Sequence, residues 1–184
     1  MLFTRWVHGL TAPFTTSFPW KRDTEVMPEG SQPERLGQAR PGPLTGSLAI
    51  RHIDVGSCGG PESEISLLTA PPYDISRFGF VFTPSPRHAD LLLVTGALTA
   101  AMEPVLRETY TAMPAPKRVV ALGACDSAAC PLARAPAAVE RLRQVVPVDV
   151  FVPGCPPPPA AIIAGLFAAV GRPAPALEVR EVPS

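Results

Sequence analysis

The sequence predicts an α/β fold in which an open, parallel sheet is covered by helices on both faces. Three observations indicate this fold: strand-like and helical patterns alternate over residues 48–170, the strand-like runs are almost continuously apolar, and glycine-rich turns follow several of them. Continuous apolar runs are typical of parallel strands that are buried on both faces. Right-handed crossovers through the helices then give a three-layer, flavodoxin-like arrangement.

The strands and helices can be placed in order along this region. Strand composition is found in residues 48–54, 78–83, 90–95, 117–122 and 148–152. Helical patterns are found in residues 61–69, 99–112, 136–144 and 158–170. The last helix follows a run of prolines and ends at Gly171-Arg172-Pro173, which is a strong stop signal.

Residues 1–47 differ from this core and are predicted to form an extended N-terminal arm. The first 20 residues contain both tryptophans and begin with an amphipathic helical pattern of Leu2, Phe3, Trp6, Val7 and Leu10. Residues 21–47 are polar and rich in glycine and proline, as in a linker. Concentrated aromatic residues usually mark contact surfaces, so we expect the arm to pack on a partner; the alternative is a loosely ordered tail. Residues 171–184 are predicted to be a C-terminal tail.

Length and charge limit the functions that the chain can have. A chain of 184 residues suits one such domain, and its formal net charge of zero gives no indication of a nucleic-acid partner. No apolar run approaches the ~20 residues that cross a bilayer, and residues 1–10 do not resemble a signal peptide. We therefore expect a cytoplasmic protein, in which thiols stay reduced and more often bind metal than form disulfides.

Three cysteines follow predicted strands. Cys58 lies in a glycine-rich turn after residues 48–54, and Cys125 and Cys155 follow the last two strands. The carboxyl ends of parallel strands meet at one edge of a sheet, where ligands of α/β proteins bind. The cysteines lie too far apart in sequence for a zinc finger, whose ligands come in close pairs. They predict a site assembled from separate loops, and the alternative is that they are buried structural cysteines.

Five blocks of the sequence resemble a single protein family. They are residues 57–65, 73–79, 85–96, 123–125 and 146–159, and they occur in order within residues 45–168. The family is the 20 kDa subunit of respiratory complex I, the NADH-quinone oxidoreductase. The closer resemblance is to the small subunit of membrane-bound, energy-converting (group 4) [NiFe] hydrogenases and formate hydrogenlyases.

The resemblance implies an iron–sulfur site and exposes one departure from the family pattern. It implies a [4Fe-4S] cluster held by four cysteines, and it places ligands at Cys58, Cys125 and Cys155. Hydrogenase-type members have a further ligand cysteine where this chain has Pro61. Proline suits the first position of a helix, so the local helix geometry can persist without that ligand.

The departure at Pro61 leaves four expectations for the cofactor. A [3Fe-4S] cluster needs only three cysteines. A [4Fe-4S] cluster could instead take an oxygen ligand from Glu62, Asp126 or water. Cys130 could serve as a substitute fourth ligand. Finally, the cluster could be lost.

Two further residues gain a role from the resemblance. It implies that Glu64 lies near the cluster and relays protons. It also implies that Arg87 lies near the cluster or the large-subunit interface, where its cation raises the reduction potential. From the sequence alone, Arg87 could equally pair with Asp90, or Asp90 could cap the entry of its strand. Glu64 could equally be a surface residue that interacts favourably with the positive end of a helix dipole.

The sequence therefore leads us to expect an electron-transfer subunit of a larger oxidoreductase, without bond-making chemistry of its own. The resemblance implies that it passes single electrons between a ferredoxin-like iron–sulfur subunit and a large catalytic subunit. It also implies membrane subunits as partners and a peripheral position on the cytoplasmic face of the inner membrane. The alternative is a non-redox assembly subunit whose cluster site has degenerated.

Overall fold

Six strands form one sheet in the computed structural model, which describes residues 33–35, 44, 46–123 and 138–175. The strands are β1 (Glu34–Arg35), β2 (Leu48–Asp54), β3 (Phe80–Phe82), β4 (Leu91–Thr95), β5 (Arg118–Leu122) and β6 (Val150–Val152). The helices are α1 (Gly60–Leu67), α2 (Glu103–Ala112), α3 (Ala138–Val145) and α4 (Pro159–Ala169). Within these ranges no helix is both long and apolar enough to span a membrane.

The order of the strands in the sheet is β1-β6-β5-β4-β2-β3, and every neighbouring pair is parallel except β1 with β6. The five parallel strands, counted along the chain, have the 2-1-3-4-5 order of flavodoxin-like folds. Strand order reverses between β2 and β4, which is where such folds usually bind ligands. The predicted α/β fold class is confirmed.

The parallel strands and the helices lie close to their predicted positions, and β1 is the main difference. The sequence assigns residues 21–47 to a linker, yet Glu34 and Arg35 pair with Phe151 and Val150 at the edge of the sheet. Two exposed polar residues carry no apolar pattern, so the sequence could not predict this strand. The predicted amphipathic segment 1–20 lies outside the described residues.

The end of the predicted arm is tied to the core. Leu44 is buried in the core cluster, and Nη2 of Arg172 donates to the carbonyl oxygens of Leu44 and Gly46, at 3.2 Å each. These hydrogen bonds therefore connect the segment before β2 to the segment after α4.

The core lies on both faces of the central strands. All five residues of β4 are buried, with Leu91 and Leu93 in one core cluster and Leu92 and Val94 in the other. Continuous burial explains why the sequence of this strand is apolar without alternation. Helix α4 is buried along most of its length in the first cluster.

Aspartates fasten two of the strand entries. Oδ2 of Asp90 accepts from the backbone N–H of Ala49 at 2.8 Å, and Oδ2 of Asp149 accepts from that of Val119 at 2.8 Å. In each case a carboxylate at the entry of one strand holds the backbone of its neighbour.

The described residues contain no ion pair between Asp90 and Arg87, and Arg87 is exposed in the 3-10 turn Pro86–His88.

Helix α4 approaches β6 so closely that it has room only for glycine at position 165. A Cβ built on Gly165 would overlap Cγ2 of Val152, a stiff β-branched side chain with no exposed surface. We predict that Gly165→Ala lowers the free energy of unfolding by about 1–2 kcal/mol, because overpacking outweighs the gain in helix propensity. Urea unfolding followed by circular dichroism measures this.

The double variant Gly165→Ala/Val152→Ala is the matched test of this contact. Its loss of stability is expected to be smaller than the sum of the two single losses, because the smaller residue at 152 makes room for the new methyl group. A Gly165→Ala protein as stable as the wild type would contradict the packing argument.

Candidate functional site

Cys58 lies in the turn that joins β2 to α1. Oδ1 of Asp54, at the end of β2, accepts from the backbone N–H of Gly56 at 2.8 Å and of Ser57 at 2.7 Å. This Asx-type turn orients the chain, and Gly59 then adopts a positive φ of 86° just before α1 begins. The Cys58 side chain is exposed at the carboxyl edge of the sheet.

The turn after β2 lies directly against the turn after β4. A Cβ built on Gly96 would overlap the backbone of Gly56 and Ser57, and one built on Gly56 would overlap the carbonyl oxygen of Ala97. Backbone hydrogen bonds join the same segments: Val55 N–H donates to Thr95 O at 2.9 Å. The Cys58 turn is therefore held against β4 at the point where strand order reverses.

The turn of Cys155 comes close to that of Cys58. A Cβ built on Gly60 would lie 3.4 Å from Sγ of Cys58 and 3.6 Å from Cβ of Pro156. Cys155 is exposed, like Cys58. The sequence prediction that strand ends bring these turns to one edge agrees with this geometry.

The backbone that leads toward Cys125 reaches the same place. A Cβ built on Gly123 would lie 3.8 Å from the carbonyl oxygen of Gly154 and 3.8 Å from Cγ of Pro61. Cys125, Asp126 and Cys130 themselves lie outside the described residues, so their place at the site stays a prediction. Within the described part of the chain, no group of three or more His, Cys, Asp or Glu residues could hold a metal ion.

Pro61 is buried in the first turn of α1, where its ring faces Gly123. The helix start predicted from Pro61 and the acidic residue after it agrees with this position. Two exposed thiols on neighbouring glycine-rich turns have the chemistry of iron–sulfur ligands. The buried ring of Pro61 adds an apolar surface and no ligand atom.

A cluster of four polar side chains lies next to the Cys58 turn; we call it the Glu62 cluster. Oε2 of Glu62 accepts from the hydroxyl of Ser57 at 2.5 Å, and Oε1 accepts from the hydroxyl of Thr95. Nε2 of His52 lies 3.0 Å from Oγ1 of Thr95 and 3.7 Å from Oε1 of Glu62. Because the one hydroxyl proton of Thr95 goes to Glu62, His52 donates from Nε2 to Thr95.

The Glu62 cluster was not predicted as a unit from the sequence. The sequence suggested Glu62 as a possible oxygen ligand of a cluster and gave His52 no functional role. Both carboxylate oxygens of Glu62 accept hydrogen bonds from hydroxyl groups, which gives Glu62 a structural role beside the Cys58 turn. The sequence contained one indication of this cluster: two polar residues, His52 and Thr95, lie inside neighbouring strands that are otherwise mainly apolar.

Glu64 and Arg87 lie apart from these contacts. Glu64 is half-buried on α1, and Arg87 is exposed. Neither forms an ion pair or a side-chain hydrogen bond with another described residue. Their positions near a cluster remain predictions.

Burial lowers the pKa of His52 below its ordinary value of about 6.5. The negative charges of Glu62 and Asp54 oppose this effect, and the positive charge of Arg51 adds to it. The lowered pKa favours the uncharged imidazole in the folded protein, and an uncharged ring with its proton on Nε2 can make the hydrogen bond to Thr95.

We predict that this histidine makes stability depend on pH. Because the folded pKa is lower than the unfolded one, the His52 contribution is present above about pH 6.5 and is lost as the pH falls through the folded pKa. Urea unfolding between about pH 5 and pH 8 should show a shallower rise in stability for His52→Gln than for the wild type. His88→Gln, at an exposed histidine, is the control and should keep the wild-type pH dependence. Parallel curves for wild type and His52→Gln would refute the assignment.

Comparisons with known proteins agree with the fold and identify the family. The family model described as "NADH ubiquinone oxidoreductase, 20 Kd subunit" matches residues 58–169, which is more than half of the chain and includes both described cysteine turns. The probable membrane-bound hydrogenase subunit MbhJ of Pyrococcus furiosus is 42% identical over 123 residues, which cover 67% of this chain and 74% of the relative.

A solved structure supports the same relationship. A chain of the membrane-bound sulfane sulfur reductase, an archaeal respiratory membrane complex, is 34% identical and has a TM-score of 0.56; the match covers 68% of this chain and 69% of that one. The resemblance identified from the sequence blocks is confirmed. The chain belongs to the family of the 20 kDa subunit of NADH-ubiquinone oxidoreductase, within which it is similar to membrane-bound hydrogenase subunits.

Proposed function

We propose that the chain is an iron–sulfur electron-transfer subunit of a membrane-associated, hydrogenase-like or complex I-like oxidoreductase. The observation that carries this proposal is the meeting of the Cys58 and Cys155 turns at the carboxyl edge of the sheet, with both cysteines exposed. Separate loops from different strands converge there, as the ligands of a cluster require. A cluster bound there would accept and release single electrons.

Cys58 and Cys155 would hold the cluster, and Cys125 would complete a set of three thiolates. Gly123 lies two residues before Cys125, and a Cβ built on it would lie 3.8 Å from both Pro61 Cγ and Gly154 O, which supports the third assignment. The chain's own contribution is to bind the cluster and to orient its ligands. No described residue is assigned to bond-making chemistry.

Partner subunits follow from the relatives and from the exposure of the site. MbhJ is a subunit of a membrane-bound hydrogenase, and the sulfane sulfur reductase is a respiratory membrane complex. We propose that a large catalytic subunit covers the exposed cysteine edge, so that electrons cross a short distance. A ferredoxin-like subunit and membrane subunits complete the assembly, and residues 1–20 contact one of these partners.

We place this assembly on the cytoplasmic face of the inner membrane, with the chain as a peripheral subunit. The membrane-bound nature of the related complexes supports a position at a membrane. The reduced cysteines that a cluster needs support the cytoplasmic side.

A second function, structural rather than redox, is favoured by one observation. The ring of Pro61 is buried against Gly123 at the place where the family pattern has a ligand cysteine. An apolar ring fills space between turns without binding iron. The alternative is therefore an assembly subunit that keeps the shape of the site and has lost its cluster.

Metal content separates these two functions. Protein purified without oxygen is expected to contain iron and acid-labile sulfide in about equal amounts, and Cys58→Ser or Cys155→Ser should remove most of both, because thiolates are the preferred ligands. Iron and sulfide analysis with visible absorption measures this. Cys130→Ser is the matched cysteine variant and should retain the cluster if three cysteines suffice. Wild-type protein without iron would favour the structural function.

The identity of the cluster depends on Pro61. In the three-cysteine interpretation, oxidised wild type gives the electron paramagnetic resonance signal of a [3Fe-4S] cluster. Pro61→Cys then replaces it by a signal seen only on reduction and lowers the midpoint potential, because an added thiolate favours the oxidised cluster. The helix should tolerate the change, since its first turn accepts most residues.

Two other outcomes of the Pro61→Cys experiment are informative. Identical four-iron spectra in both proteins would show that another residue, such as Cys130, already completes the ligand set. A cluster present only in Pro61→Cys would show that the wild-type site has degenerated and would favour the structural function.

A further inference from the structure

Side-chain oxygen atoms hold both neighbours of Cys58. The backbone N–H of Ser57 donates to Asp54 Oδ1 at 2.7 Å, and the backbone N–H of Gly59 donates to Ser57 Oγ at 3.0 Å. The Ser57 hydroxyl in turn donates to Oε2 of Glu62 at 2.5 Å. The Ser57 hydroxyl thus binds the backbone on the far side of Cys58, and the carboxylate of Glu62 holds this hydroxyl in place.

Glu62 is itself fixed from the sheet. Its other carboxylate oxygen accepts from Thr95, which ends β4 and has no exposed surface. Thr95 also contacts Nε2 of His52 in β2, at 3.0 Å. One carboxylate on α1 therefore connects the two strands at the reversal point to the turn that carries Cys58.

These bonds are of the kind that keeps a turn in one geometry. Hydrogen bonds to a carboxylate are stronger than those between neutral groups, and bonds in a chain polarise one another. The open space around Gly59, where an added Cβ would meet nothing within 4 Å, means that packing alone does not hold this side of the turn. The Ser57 and Glu62 bonds supply the constraint that packing lacks.

We propose that Glu62 is a positioning residue for Cys58: held by Thr95, which in turn accepts from His52, its carboxylate fixes Ser57 and so sets the orientation of the ligand thiol. The inference rests on the proposed function only in treating Cys58 as a ligand. Both of its oxygens accept from hydroxyl donors, so the role proposed for Glu62 is to support the turn through these bonds.

The first test uses the full chain without metal, so it does not depend on the cluster. Amide hydrogen exchange of Gly59, followed by nuclear magnetic resonance, is compared in wild type, Ser57→Ala and Thr95→Val. Thr95→Val keeps the shape of the side chain and removes the hydroxyl. We expect exchange at Gly59 to be about tenfold faster in both variants, while Thr95→Ser keeps the wild-type rate.

Met113→Ala is the stability control. Met113 is buried before β5, at the opposite edge of the sheet from Cys58, so its loss weakens the core without touching the turn. Exchange at Gly59 should keep its wild-type rate in this variant. Unchanged exchange in Ser57→Ala and Thr95→Val, or an equal increase in Met113→Ala, would overturn the proposal.

The second test uses the cluster-loaded protein. Ser57→Ala and Thr95→Val should shift or broaden the electron paramagnetic resonance spectrum, because the Cys58 thiolate changes its orientation, whereas Thr95→Ser and Met113→Ala should keep the wild-type spectrum. Identical spectra in all variants would count against a positioning role. If wild-type protein holds no iron, the proposed function fails, and the Gly59 exchange rates alone decide whether Glu62 positions Cys58.

Discussion

The whole site depends on backbone contact between the turns after β2 and β4. Neither Gly56 nor Gly96 can carry a Cβ, since each would overlap the backbone of the other turn. These glycines therefore set the distance between the Cys58 turn and the sheet at the reversal point. The start of α1 and the position of Pro61 follow from that distance, because only one residue separates Cys58 from the first residue of α1.

The Cys155 turn is also constrained by close backbone packing. Gly154 has a φ of 135°, and a Cβ there would lie 2.6 Å from Cα of Pro157, so the chain folds tightly back before α4. Pro157 and Pro159 are buried, and they fix the entry of α4 into the core. The long proline run, which is unusual for an ordinary domain, therefore has two effects. It keeps Cys155 at the edge of the sheet, and it directs α4 into the core against the sheet.

The fold could be predicted from the sequence because its signals are local. The apolar runs of β4 and β5 reflect burial on both faces, and the turn glycines mark where each strand ends. The Glu62 cluster could not be predicted, because its bonds join residues 33 and 43 positions apart. The two-residue strand β1 was missed for another reason: its residues are polar and exposed, so no local pattern indicates that they pair with β6. The approach of the Cys58 turn to the Cys155 turn followed from the parallel direction of their strands, but a site shared by these cysteines, and the place of Cys125, remain predictions.

The contacts around the Cys58 turn determine what Pro61 does at the start of α1. The glycine contacts, the Asp54 turn and the Glu62 cluster hold the Cys58 turn through protein atoms alone. A turn that is held in this way keeps its geometry whether or not a fourth thiolate is present. A proline at the start of α1 is therefore compatible with the observed positions of the Cys58 and Cys155 turns, and its buried ring lies beside Gly123. The fold is thus compatible with a three-thiolate cluster and with an empty site, and the choice between them depends on the thiols that the chain supplies after β5.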